Sequence, residues 1–585
     1  MVRNSFASLI LFLCAAQAAH SNLETEQKLW TIGQSVITSS GIIVGHAAPN
    51  ATEVSEYLGI PYARAATGDL RFAPPVAYSS SDVFDAIRFS HACPVVQRTQ
   101  GSSGSGSMST NVNLTTAGLY TSEVNGEIGV QTSEDCLSLN IWTKPQVGSS
   151  PKAVMLWVYG GGFTSGNSNN PFYNGHLLAN REDVVVVTFN YRINVFGFPG
   201  IPAGSQCQNV GLQDQRMAVE WVRDNISRFG GDPKRIILWG QSAGAVAIDY
   251  YAYTYTSDPI VAGFIQESGT TSAIPALNAS SSASIWYNVT TRIGCGNASS
   301  DPSAVLSCMR KVNYTNILNA LHGQNFYPTI DGRLVLNSSA YTALSRAGKY
   351  IQVPLLVGNN DNEAAIFRVE FVQAGSHQLD SLSAEPSYTD RRFACPAAVR
   401  ANASVYHKVP TWRYRWFGVF PNTNLTTYPD SGAYHGSEIP IIFNTTPGPA
   451  QNTSANTKRE EALIEYMQIV WTAFAKDPVN GLTRLGLPRF DPKEDTLLRL
   501  GWENDVGPNT SPAQVYDAPC GDQFPVPGSA DEADGTDNEG SSSTASASGT
   551  ASTPNKSTST STKVRGYCFW PCLWMFTATI VVCLT

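Results

Sequence analysis

Gly240-Gln241-Ser242-Ala243-Gly244 has the spacing G-x-S-x-G and follows directly on the apolar run Ile236-Ile237-Leu238-Trp239. A serine hydroxyl is a weak nucleophile at its free pKa. It works only when held exposed beside a base, facing donors that stabilise a developing oxyanion. A tight strand-to-helix turn provides that exposure, and Gly240 and Gly244 provide the room. The run before the motif has strand length and Ala243 to Tyr253 can form a helix, so the segment reads as a nucleophile elbow rather than a glycine-rich turn that contains Ser by chance. A second glycine run, Gly160-Gly161-Gly162-Phe163, ends an earlier apolar stretch. The chemistry to look for is attack by an activated hydroxyl, with a base of near-neutral pKa, a carboxylate behind it and backbone donors nearby.

The elements that would position these groups follow in order. Short strands and turns run from Ile43 through Tyr57–Ala63 and Leu70–Pro75. Residues Gly101 to Val130, rich in Gly, Ser and Thr, read as a surface loop. Leu137 to Trp142, Val154 to Tyr159 and Asp183 to Phe189 are apolar runs of strand length. Leu212 to Phe229 carries apolar residues at helical spacing and stops at Gly230-Gly231-Asp232-Pro233, just before the elbow strand. Pro354 to Gly358 is a further buried strand, opening into the polar loop Asn359 to Glu363. Trp412 to Phe420 alternates apolar with charged residues and predicts a strand with one face wet; a polar loop with His435 follows. Arg459 to Ala475 predicts an amphipathic helix, ended by Asp477-Pro478. Strands alternating with helices define an α/β fold with a mostly parallel central sheet covered on both faces.

Hydrophobic residues make up 42% of the 585 and charged residues 14%, which indicates an ordered globular chain over most of its length. The net charge of -8 and the lack of a Lys/Arg cluster give no footprint for nucleic acid. Residues 1–18, with Arg3, an apolar run from Phe6 to Ala16 and Ala16-Gln17-Ala18, read as a secretory signal peptide. Sequons at Asn50, Asn113, Asn278, Asn288, Asn297, Asn313, Asn337, Asn402, Asn424, Asn444 and Asn452 agree with a secreted glycoprotein. Residues 19–527 form the globular domain, 528–566 a Ser/Thr-rich stalk and 567–585 an apolar tail. The tail is barely long enough to cross a bilayer and has no basic residues after it. Small residues upstream (Ser548, Gly549, Asn555, Ser557) and a polar spacer give the layout of a glycosylphosphatidylinositol signal, so membrane attachment through that anchor is expected, with a plain membrane span and a soluble secreted form as the alternatives. Of eleven cysteines, Cys14 falls in the signal and Cys568, Cys572 and Cys583 in the tail. Seven remain in the body, which suggests three disulfides and one thiol with the pairing left open.

Several blocks in order carry a family resemblance: Gly59-Ile60-Pro61-Tyr62-Ala63, Ser133-Glu134-Asp135-Cys136-Leu137, Tyr159-Gly160-Gly161-Gly162-Phe163, Asn190-Tyr191-Arg192, Asp214-Gln215-Arg216, Phe229-Gly230-Gly231-Asp232-Pro233, the elbow, and Tyr434-His435-Gly436-Ser437-Glu438. From about Gly41 to Cys520 the chain resembles the type-B carboxylesterase family of α/β-hydrolases, which includes cholinesterases, fungal lipases and secreted fungal esterases. The resemblance implies a carboxylic-ester hydrolase with Ser242 as nucleophile, His435 as base and Glu363 as acid, in the chain order expected of the fold. Asp361 is the rival acid, because the family usually has Gly after the glutamate and this chain has Ala364. It also implies an oxyanion hole from the N–H groups of Gly161, Gly162 and Ala243, disulfides Cys93–Cys136, Cys295–Cys308 and Cys395–Cys520 with Cys207 free, and ion pairs Arg71–Glu134 and Arg192–Asp214. No motif asks for a metal or other cofactor; the expected partner is a small-molecule or lipid-like carboxylic ester. A true lipase or a cholinesterase is the alternative. Against the latter stand the neutral Gln241 before the nucleophile, a Cys93–Cys136 loop with Tyr120 but no Trp, and a short Glu363–His435 segment. Against the former stands the polar, Gly/Ser-rich character of the same loop. A remote alternative is a non-catalytic cell-surface adhesion protein on this fold, a reading disfavoured by the intact Ser242, Glu363 and His435.

Overall fold

The longest apolar runs become the middle of one eleven-stranded sheet. The structure is a computed structural model, and it describes residues 30–97, 112–146, 148, 150–202, 208–274, 276–373, 379 and 382–523. The signal segment, Cys207, the stalk and the tail lie outside the described residues.

In chain order the strands are β1 (His46–Ala48), β2 (Ala51–Pro61), β3 (Ser138–Thr143), β4 (Lys152–Val158), β5 (Val185–Phe189), β6 (Gly231–Gln241), β7 (Gly263–Glu267), β8 (Leu355–Asn360), β9 (Thr411–Trp416), β10 (Leu497–Leu500) and β11 (Thr510–Ser511). Their spatial order is β11-β10-β9-β8-β7-β6-β4-β5-β3-β2-β1. From β10 through β5 every neighbouring pair is parallel, and the remaining pairs are antiparallel. Parallel strands must be covered on both faces, which is why β4, β5 and β8 are buried at every position. Strand order reverses between β4 and β6, and the crevice beyond the carboxyl ends at such a reversal is where ligands bind in open α/β sheets. Both the Gly160 loop and Ser242 leave the sheet there.

The helices that matter for the site are α1 (Thr116–Asn125), α2 (Val210–Asn225), α3 (Ala243–Thr254), α4 (Ala364–Gln373), α5 (Cys395–Tyr406) and α6 (Lys458–Lys476). Successive residues of β6 point to opposite faces, and the two faces meet different helices. Trp239 and Trp471 of α6 both donate their indole N–H to Glu267 Oε1, while a Cβ on the neighbouring Gly240 would approach Ile248 of α3. Helix α6 begins with a reciprocal cap between Thr457 and Glu460 and buries Leu463, Met467, Trp471 and Phe474, the face its spacing predicts.

Disulfides Cys93–Cys136, Cys295–Cys308 and Cys395–Cys520 are formed, the pairs the resemblance implies. Arg71 grips Glu134 with two bonds, at 2.6 and 2.5 Å, and Arg192 grips Asp214 at 2.8 and 2.6 Å, all four groups buried. Arg71 also donates to the carbonyls of Met309 and Val312, fastening the first disulfide loop to the helices beyond Cys295.

Three expectations need correction. Strand β9 has no wet face: Arg413 pairs with Asp517 and Arg415 with Asp361, and all six residues are buried between β8 and β10. Alternating arginines mimic a half-exposed strand when each carries its own acid. The Gly101–Val130 stretch is not loop throughout, since 116–125 form α1, capped by Thr115 Oγ1, which accepts the Gly118 N–H, and closed by Gly126. Its small and polar residues hide the helix from periodicity. The Asn402 sequon sits on α5 with its asparagine turned inward and 6% exposed, so it offers no room for a glycan; Asn278, Asn288, Asn297 and Asn337 are exposed.

Candidate active site

Ser242 stands between β6 and α3 with φ 56 and ψ -125, a conformation non-glycine residues avoid. Two bonds hold it there. Its N–H donates to the Glu267 carbonyl at the end of β7 (2.8 Å), and its carbonyl accepts the Val246 N–H in the first turn of α3 (2.9 Å). The small residues around it are required by close approach: a Cβ on Gly244 would run into the Val158 carbonyl, and one on Gly160 would come within 2.9 Å of both Gln241 O and Ser242 Cβ.

Glu363 follows β8 and is fully buried. Its Oε1 accepts from the Ser268 hydroxyl (2.7 Å) and the Asn360 N–H (2.6 Å), and its Oε2 meets His435 Nδ1 at 2.5 Å. An ionised carboxylate only accepts, so the imidazole proton belongs on Nδ1 and Nε2 keeps its lone pair. Nε2 makes no hydrogen bond in the structure, to Ser242 or any other group, although His435 and Ser242 line the same cavity. Such bonds are often long in unliganded hydrolases and tighten around substrate. The rival, Asp361, is held by Arg415 at 2.8 Å and its side chain is 42% exposed.

The loop carrying His435 is fixed by its neighbours. Asn362 N–H donates to Ala433 O (3.0 Å), Asn360 Nδ2 to Tyr434 O (2.7 Å), and Trp416 Nε1 to Ser437 Oγ (3.1 Å). The imidazole packs against a stacked pair of phenylalanines, Phe367 of α4 and Phe393, with ring centroids 5.1 and 4.7 Å away. Gly161 and Gly162 have φ 96 and 62, left-handed values that favour glycine, and a Cβ on Gly161 would run into the Ser165 carbonyl. The N–H groups of Gly161, Gly162 and Ala243 donate to no protein acceptor among the described residues. That leaves three donors beside the serine, a chemically sufficient oxyanion site.

A cavity of about 770 Å³ opens onto these groups, a size suited to a small molecule. Among the described residues no His/Cys/Asp/Glu group is arranged to hold a metal. Beneath the site lie two further buried carboxylates. Burial, and then the Glu363 charge, push Glu438 up to about 7; burial and Glu438 push Glu267 up as well. On the cavity wall, Glu127 is raised by burial while its oxygens accept from the Gly166 N–H (2.5 Å) and Asn167 (2.9 Å), bracing the glycine loop.

The structure brings the six predicted site residues together: Ser242, His435, Gly161 and Gly162 line one cavity, Glu363 is bonded to His435, and Ala243 directly follows Ser242. Sequence reasoning missed Ser268, Phe367, Phe393 and Glu127, because nothing in their local spacing distinguishes them from core or loop residues.

A strained serine at the strand reversal of this sheet, backed by a histidine–carboxylate pair and free glycine donors, defines an α/β-hydrolase. A profile of the carboxylesterase family matches residues 33–387, and the chain belongs to that family; it is a carboxylic-ester hydrolase. Chlorogenic acid esterase of Aspergillus niger is 36% identical over 465 residues, covering 78% of this chain and 85% of its own. Secreted lipase 5 of Gibberella zeae is 32% identical over 513 residues, covering 81% and 92%. Cholinesterase of Mus musculus is 33% identical over a shorter 362 residues, 59% of this chain. Among solved structures, a PNB esterase superposes with a TM-score of 0.66 at 25% identity, covering 83% of this chain and 99% of its own.

Proposed function

We propose that the chain hydrolyses carboxylic esters through an acyl-enzyme formed on Ser242. His435 Nε2 takes the hydroxyl proton as Oγ attacks the ester carbonyl, and the N–H groups of Gly161, Gly162 and Ala243 receive the oxygen that turns negative. The same nitrogen then protonates the departing alcohol. In the second half His435 deprotonates a water that attacks the acyl group and frees Ser242. Glu363 holds the ring and stabilises the imidazolium. The observation that carries this reading is the 2.5 Å contact of His435 Nδ1 with Glu363, which supports the tautomer with its lone pair on Nε2, in a histidine that lines the same cavity as Ser242.

The substrate is a small ester, and the breadth of the site is that of an esterase rather than of a lipase acting at interfaces. The Gly/Ser-rich, polar composition of the Cys93–Cys136 segment supports this, since a lipase lid needs an apolar underside. The similarity to a chlorogenic acid esterase agrees. The chain is secreted, as its signal segment and the similarity to a secreted lipase suggest, and is anchored by glycosylphosphatidylinositol through the 567–585 signal. Release from intact cells by phosphatidylinositol-specific phospholipase C tests the anchor; esterase retained with its apolar tail uncut would refute it. A panel of 4-nitrophenyl esters from acetate to palmitate tests the chemistry. Short chains are expected to be cleaved in solution and Ser242→Ala to lose about 10⁴ or more in kcat. Ser242→Ala retaining a tenth of wild-type activity would sink the triad, and turnover confined to emulsified long chains would favour the lipase.

A further inference from the structure

The helix that begins at Glu385 and continues through α5 is interrupted at Asp390–Ala394 by one wider, π-helical turn. Such turns insert a residue and re-aim side chains, and they recur at functional sites. Here the consequence is that two successive residues reach the cavity. Phe393 packs on the His435 ring, and Arg392 beside it also lines the cavity wall.

Arg392 differs from the fully buried arginines of the protein. Every buried arginine among the described residues meets a carboxylate, Arg192 with Asp214 and Arg400 with Asp249 among them. Half-buried Arg392 does not. One of its five N–H donors goes to the Ala273 carbonyl at 3.2 Å, and its guanidinium carbon lies 6.0 Å from the centre of the Tyr388 ring. Glu370 also lines the cavity, close enough to Tyr388 to add to the upward push that burial gives its hydroxyl. The contacts with Ala273 and Tyr388 orient the guanidinium, and among the described residues its other four donors meet no protein acceptor. A pre-oriented fork of this kind, partly withdrawn from water, matches a carboxylate.

We propose that Arg392 binds an ionised carboxylate on the substrate, so that this enzyme prefers esters bearing a free acid group over neutral esters of the same size. The proposal rests on the cavity being the ester site. Because Phe393 touches His435, the bound carboxylate lies within one side chain's reach of the scissile bond. The acid group can therefore be carried on the acyl or the alcohol portion, but not on a distant extension.

Two matched pairs of substrates cover both cases. On the acyl side, mono(4-nitrophenyl) glutarate is compared with 4-nitrophenyl hexanoate; on the alcohol side, 3-acetoxybenzoate is compared with 3-acetoxybenzamide. In at least one pair the wild type is expected to favour the anion in kcat/KM, mainly through KM. Arg392→Gln should lower that anion-to-neutral ratio about tenfold or more, the usual worth of a charge-assisted bond. Arg392→Lys should keep part of the preference, which a merely structural role for the arginine would not predict. Calorimetric binding of the same pairs to Ser242→Ala separates failure of this proposal from failure of the catalytic reading. Tighter binding of the anion without wild-type turnover would overturn the catalysis alone. Equal ratios in both pairs for wild type, or a ratio that Arg392→Gln leaves unchanged, would overturn the carboxylate site.

Discussion

Replacing Glu363 by glutamine separates the acid's charge from its shape, and the surrounding bonds dictate how the amide must sit. In the native arrangement Oε1 accepts from Ser268 and Asn360 while Oε2 faces His435 Nδ1. A glutamine must offer an oxygen to one side and an NH₂ to the other. With the NH₂ toward Asn360, two donors would face each other at the 2.6 Å now spanned by a hydrogen bond, in a fully buried site. That costs on the order of 1–3 kcal/mol per unsatisfied group. The amide therefore keeps its oxygen on Asn360 and presents its NH₂ to His435. Nδ1 must then accept, the ring proton moves to Nε2, and the nitrogen that should take the proton of Ser242 is blocked. A wrong tautomer of this kind lowers kcat by about 10⁴, which is about 5.5 kcal/mol of barrier. Asp361→Asn is the control: it loses a half-exposed pair with Arg415, at most about 1 kcal/mol of stability, and kcat should stay within about twofold. Steady-state hydrolysis of 4-nitrophenyl butyrate, with melting temperatures to confirm folding, decides between them. A Glu363→Gln enzyme keeping more than a tenth of kcat, or the reverse ranking of the two variants, would refute the assignment.

Replacing both Cys93 and Cys136 by serine opens a loop closed across 43 residues and should destabilise the protein by about 4 kcal/mol, read from urea unfolding. A loss under about 1 kcal/mol would show that this loop is held by Arg71 and Glu134 rather than by the bond. Glu438, pushed up to about 7, gives stability an unusual pH dependence. From the ordinary carboxyl range up to that value the folded chain holds a proton that the unfolded chain has lost, so this contribution is present in full at low pH and disappears as pH rises through about 7. Glu438→Gln, neutral at every pH, should flatten the decline in melting temperature between pH 5 and 8; an unchanged slope would mean that Glu438 is ionised throughout.

Elements were legible in the sequence where burial was simple. Strands β4 and β5 are continuous apolar runs because the parallel centre of the sheet is covered twice, and α6 is a clean amphipathic helix with a reciprocal cap. Legibility failed where a polar residue's partner lies far along the chain. Arg413 and Asp517 are separated by 104 residues, so no local window reveals that the arginine is buried and satisfied. Helix α1 failed for the opposite reason: its residues are weak helix formers, and what holds it is tertiary, the Thr115 cap and Tyr120 packed edge-on against Phe172 at 5.8 Å.

The site divides along the same line. Ser242 and the Gly160 loop are constrained by backbone conformation, positive φ and close approach, and such constraints restrict residue type at fixed spacing, so they surface as motifs. Glu363 and His435, the proposed acid and base, need only be brought together, and Asp361, two residues from Glu363, has the right type as well. What separates the two carboxylates is their surroundings: one meets Ser268, Asn360 and His435 in a dry site, the other meets Arg415 near solvent. Three carboxylates crowd beneath His435, and burial keeps two of them, Glu438 and Glu267, raised toward neutrality. With Glu438 neutral, the negative charge that stabilises an imidazolium is concentrated on Glu363, the only one of the three bonded to the ring. Above about pH 7 that arrangement ends, since a second charge begins to form three residues from His435, the proposed base. Selection of the proposed acid is therefore a property of the whole buried cluster, which is why a five-residue motif points to the proposed nucleophile and no local motif points to the acid.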